Sequence, residues 1–93
     1  ISWPASDAIL RGVIRIKGTA NVSQFSYYKL EFRPEGSPTW SYLTGSNRVV
    51  TSGTLMTWYT TTVPSGRYRL RLVVVDQTGN YPDPCEIRVT IQN

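Results

Sequence analysis

Apolar and polar residues alternate along most of this chain. Between Gly12 and Ala20, Ile14 and Ile16 stand against Arg15 and Lys17. Between Ser26 and Arg33, Tyr28, Leu30 and Phe32 stand against Tyr27, Lys29 and Glu31. Tyr68, Leu70, Leu72 and Val74 oppose Arg67, Arg69 and Arg71 in Arg67–Asp76, and Ile87, Val89 and Ile91 oppose Glu86, Arg88 and Thr90 in Glu86–Gln92. A period of two predicts half-buried antiparallel strands. Ile1–Trp3, Thr39–Thr44 and Thr54–Tyr59 are shorter candidates. Pro4 lacks the N–H that would continue the first of these. Pro34-Glu35-Gly36-Ser37-Pro38, Gly45-Ser46-Asn47, Pro64-Ser65-Gly66 and Gln77-Thr78-Gly79-Asn80 are turn clusters. No stretch has a helical period.

Short strands broken by turns at this spacing predict an all-β fold, a seven-stranded antiparallel Greek-key β-sandwich. One sheet is expected to hold Ile1–Trp3, Gly12–Ala20 and Thr54–Tyr59. The other is expected to hold Thr39–Thr44, Ser26–Arg33, Arg67–Asp76 and Glu86–Gln92. The expected core is Ile14, Ile16, Tyr28, Leu30, Phe32, Leu55, Tyr68, Leu70, Leu72, Val74, Ile87, Val89 and Ile91.

The 93 residues amount to one domain, and the first of them is Ile1. The expectation is therefore a fragment, 1–93, of a larger protein. Charged residues are only 17% of the chain and aromatics 12%, the opposite of a disordered tail. No apolar run nears the length of a membrane helix, and no signal peptide is read. The net charge of +4 permits an anionic partner without requiring one. The chain has no His, which removes the usual proton shuttle at neutral pH and the commonest metal ligand. A single cysteine, Cys85, excludes an internal disulfide and a Cys/His zinc site.

The stretch from Trp58 to Asn80, WYTTTVPSGRYRLRLVVVDQTGN, resembles bacterial fibronectin III-like or immunoglobulin-like accessory domains. Their pattern there is W-D-T-x-x-L-P-D-G-x-Y-x-L-R-L-x-V-x-D-x-x-G-N. Tyr27-Tyr28-Lys29-Leu30-Glu31-Phe32 with Trp40 and Leu43 is similar to the same family's Y-x-L-E-Y…W-x-x-L stretch, and Ile1–Pro4 with Val13–Ala20 is similar to its opening. Tyr59 and Ser65 depart from the pattern, which often has Asp at both places. The resemblance implies an extracytoplasmic module of the cell envelope, appended to enzymes such as penicillin-binding proteins and subtilisin-like proteases. It also implies a non-catalytic spacing, positioning or interaction role, with neighbouring domains of the same chain as partners. No cofactor, nucleic-acid partner or membrane insertion is expected, and the state is expected to be monomeric. The alternative is a carbohydrate- or cell-wall-polymer-binding module.

Five residues form the candidate interaction face: Tyr27, Lys29, Arg69, Arg71 and Arg88. With Glu31, Arg33 and Glu86 they alternate on the outer side of three adjacent strands, so five cations meet two carboxylates there. Arg suits bidentate contact with carboxylate or phosphate, so one reading is a patch for an acidic cell-wall polymer or polysaccharide; cross-strand ion pairs on a solvated surface are the plainer reading. Trp40 and Tyr42 are the alternative sugar-stacking pair. Tyr68, two residues after Gly66, is expected to be a tyrosine corner rather than a catalytic phenol. Asp76, Gly79 and Asn80, with Asp83 near, are read as a self-bonded turn in preference to a calcium site. Cys85, with no base near it in sequence, is expected to be a semi-buried small hydrophobe rather than a nucleophile.

Overall fold

The computed structural model describes residues 1–93. Seven strands follow one another: β1 (Ala8–Leu10), β2 (Val13–Ala20), β3 (Phe25–Pro34), β4 (Ser41–Ser46), β5 (Val50–Tyr59), β6 (Gly66–Asp76) and β7 (Cys85–Ile91). The one helical element is a single 3-10 turn, Thr60–Thr62. The strands form a five-stranded sheet in the order β1-β7-β6-β3-β4 and a two-stranded sheet, β2-β5. The molecule is thus all-β and sandwich-like.

The four clearly alternating segments are β2, β3, β6 and β7, with ends within a residue or so of those expected. In β2 the alternation is complete: Ile14, Ile16, Gly18 and Ala20 are buried, while Val13, Arg15, Lys17 and Thr19 are exposed. The inner sides of the two sheets meet in a cluster of 14 buried residues. Ile16, Leu30, Leu70 and Ile91 in it are fully enclosed. Each such side chain contributes about 1.5–3 kcal/mol on leaving water.

The segments with little alternation depart from the expected strands. Ile1–Trp3 is not a strand. It makes one bridge, Trp3 to Lys17, through which Ser2 N–H donates to Lys17 O at 2.8 Å and Lys17 N–H to Trp3 O at 2.8 Å. Beyond the buried Pro4, which has no N–H to continue that pairing, the chain crosses to the other sheet. There Ala8–Leu10 forms β1, parallel to β7. Three residues are too few to display a period, so β1 had no signal. Strand β4 lies two residues later than expected, and β5 begins four residues earlier, at Val50. β4 is an edge strand without alternating burial, and Ser52 in β5 has φ 49°, which breaks the regular pattern.

Two expected core residues, Phe32 and Val74, are only half-buried against the cluster. Phe32 lies at the core's rim, its ring tilted against Trp58 and Tyr68 with centroids 5.7 and 5.9 Å away. Around Val74 the burial passes instead to Val73 and Val75 on the opposite side of β6. Leu10, Ala20 and Trp58 complete the core without having been expected there.

Three buried hydroxyls pin loops and sheets together. Tyr68 Oη donates to Pro64 O at 2.7 Å, the corner expected from its position after Gly66. Thr60 Oγ1 donates to Gly12 O at 2.7 Å. Tyr28 Oη reaches from β3 across the core to Leu55 O on β5, at 2.8 Å. In the β2–β5 register Ile16 faces Met56 and Lys17 faces Thr54, so Leu55 sits at a bulge without a partner. The tyrosine satisfies the carbonyl of that residue. No buried side-chain nitrogen or oxygen is left without a hydrogen bond.

Candidate functional site

The outer side of β3, β6 and β7 brings together the residues expected there. Antiparallel pairing sets Tyr27 beside Val75, Lys29 beside Val73, Glu31 beside Arg71, Arg33 beside Arg69, and Arg69 beside Arg88. The strands therefore converge as the alternation required. The charges on them are engaged with one another.

Arg69 holds Glu35 through Nε and Nη2, both at 3.2 Å, and Glu86 through Nη1 at 3.3 Å. The hydrogen bond with Glu35 raises the Arg69 pKa and, from the other side, holds the Glu35 carboxyl below its ordinary value. Arg71 grips Glu31 at 2.8–2.9 Å, and Lys29 approaches the same carboxylate at 3.8 Å. Arg33 donates to Ser37 O at 2.7 Å and lies 3.9 Å from Glu86. Arg88 lies 3.5 Å from Asp7. Two of these carboxylates, Glu35 and Asp7, come from the turn after β3 and the segment before β1. Period-two reading could not place them on this face. Five cations thus meet four carboxylates, not two.

Trp40 belongs to the same network. The guanidinium carbons of Arg71 and Arg33 lie 4.1 and 5.0 Å from its ring centroid. Such cation–π contacts occupy the surface a sugar would need. Tyr42 is exposed, but its hydroxyl leans over Gly45, where an added Cβ would lie 2.7 Å from it. The two rings therefore do not form one open platform.

A cleft opens at the other end of the face. Its volume is about 300 Å³. Val73 and Val75 line its base, Tyr27 and Tyr81 are its aromatic members, and Lys29 and Arg71, both paired with Glu31, are its cationic ones. Asp76, Gln77 and Gly79 also line it. Sequence reading placed Tyr27, Lys29 and Arg71 here but missed Tyr81, because the Pro82–Pro84 loop has no period to orient it. Arg69 and Arg88 lie outside the cleft.

The turn at the cleft's edge is self-bonded. Asp76 Oδ1 accepts from Thr78 Oγ1 at 2.6 Å, from Thr78 N–H at 2.9 Å and from Asn80 N–H at 3.1 Å. These bonds, the Thr78 hydroxyl foremost, hold the Asp76 carboxyl below its ordinary pKa. Gly79 supplies the required positive φ, +84°. No three His, Cys, Asp or Glu side chains gather closely enough to hold a metal ion. Cys85 is exposed rather than semi-buried: it shares the inward parity of Ile87, Val89 and Ile91, but it is the first residue of β7, at the end of the sheet beside the chain's amino terminus, whose nitrogen donates to its Sγ at 3.2 Å.

Comparison with known protein families, curated proteins and solved structures finds no match.

Proposed function

We propose that this chain is a non-catalytic accessory domain of a larger extracytoplasmic protein, with the Greek-key arrangement of the fibronectin III and immunoglobulin-like families. Its role is to space and position neighbouring domains of an envelope enzyme of the penicillin-binding kind. The observation that carries the reading is the self-neutralised outer face. Arg69, Arg71 and Arg33 spend their donors on Glu35, Glu86, Glu31 and Ser37 within the domain. A network closed in this way stiffens the sheet and leaves little charge for a ligand. The Tyr68–Pro64 corner and the split into a β4-β3-β6-β7 group and a β2-β5 pair support the Greek-key wiring. The enzyme association rests on the sequence resemblance.

The test is made in the full-length protein. Replacing the domain with an unrelated sandwich of the same end-to-end span should preserve activity, whereas deleting it should lower activity. Loss on replacement as severe as on deletion would refute a spacing role.

The cleft favours a second reading, a carbohydrate-binding module. An apolar base flanked by two tyrosines suits the CH face of a sugar ring. Binding of a neutral cell-wall oligosaccharide that is lost in Tyr81→Ala would favour it over the spacer.

A further inference from the structure

We propose that the outer face of the two-stranded sheet binds an acidic polysaccharide, laid across Trp3, Arg15, Lys17 and Tyr59. The proposal concerns the opposite side of the sandwich from the cleft and does not depend on the spacer reading.

The chain has ten cations and six acids. Five of the cations and four of the acids meet in ion pairs on the five-stranded sheet and the loops beside it. That leaves five cations, Arg11, Arg15, Lys17, Arg48 and Arg67, against Asp76 and Asp83. Neither β2 nor β5 contains a single Asp or Glu. Arg15 and Lys17 point outward from β2, are exposed, and form no ion pair. Two of those five cations thus stand unpaired on this face, where a polyanion meets no carboxylate from either strand.

The groups around those cations select among polyanions. Arg15 faces Thr57 and Lys17 faces Thr54, both exposed threonines on β5. Exposed rings close the strip at either end: Tyr59 is 58% accessible, and Trp3, bridged to Lys17, is 46% accessible. Two residues along a strand advance about 7 Å, so Arg15 and Lys17 are far enough apart to meet carboxylates on different sugar residues of one polymer. Carboxylates then meet the cations, hydroxyls meet the threonines, and the CH faces of the sugars meet the rings. A bilayer would call for a broad apolar surface in place of the threonines. A nucleic-acid strand would call for a longer cationic track.

Calorimetry of the intact chain against polygalacturonate at low salt tests the proposal. Neutral dextran, polyglutamate, anionic phosphatidylglycerol vesicles and single-stranded DNA serve as comparison ligands. Polygalacturonate should bind best, and Arg15→Gln with Lys17→Gln should weaken it by roughly tenfold or more. Tyr59→Ala should also weaken it, while Lys29→Gln on the other sheet should not. All of these positions are exposed or outward-facing, and an unchanged melting temperature will show that the fold is kept. Absence of binding overturns the proposal. So does equal or tighter binding of polyglutamate, vesicles or DNA, indifference to the Arg15/Lys17 pair or to Tyr59, or sensitivity to Lys29.

Discussion

Replacing Tyr28 with Phe removes one oxygen and leaves the ring that fills the core. The oxygen reaches Leu55 O at 2.8 Å in a buried setting. Leu55 stands at the β2–β5 bulge, where the ladder assigns it no opposite residue. The variant therefore strands a buried acceptor, while creating almost no cavity. An unsatisfied buried acceptor costs about 1–3 kcal/mol. For a domain this small each kcal/mol corresponds to roughly 4–8 °C in Tm. The expected loss is then about 4–24 °C, with the urea m-value unchanged because the surface exposed on unfolding hardly alters. Urea titration and thermal melting of Tyr28→Phe beside Tyr27→Phe measure it. Tyr27 is exposed, so its variant should stay within about 0.5 kcal/mol of the parent. A second arm uses alkali. Burial raises the Tyr28 pKa above the ordinary phenol value, and the Ser46 hydroxyl offsets part of the rise. The stabilisation this represents is complete below the ordinary phenol pKa and disappears as pH climbs through the raised value. Tyr28→Phe should therefore lose less stability than the parent in that alkaline window. A destabilisation equal to that of Tyr27→Phe, with identical alkaline profiles, would refute the claim that this hydroxyl ties the two sheets together.

Leu72, buried on the inner side of β6, should cost about 2–5 kcal/mol when cut to Ala, read by urea denaturation. Asp76 has a depressed pKa in the folded state, so its contribution is present above the ordinary carboxyl range and fades as pH falls through the lower, folded value. Stability measured down an acid series should thus fall less steeply in Asp76→Asn, which should already be weaker than the parent at neutral pH. The exposed Cys85 should react with a thiol reagent in the native state as completely as in urea, followed by mass spectrometry.

Strand identity was legible wherever a segment was long enough to repeat its period. Ile14 and Ile16, or Leu70 and Leu72, must share a side if the backbone is extended, and a sheet with one dry side selects that pairing. The Tyr68 corner was legible for a related reason: its partner, Pro64, lies four residues away, and local geometry suffices. The tertiary structure decided everything that depended on residues distant in sequence and free of period. It carried Ala8–Leu10 to the edge of the five-stranded sheet and placed Tyr81 by the cleft. It also brought Glu35 and Asp7 to Arg69 and Arg88. The last of these reversed the electrostatic picture. Alternation along a strand specifies which side a charge leaves from, but not which loop carboxylate meets it there. Neutralisation depends on distances of a few ångströms between groups dozens of residues apart, and only the packed fold sets those distances.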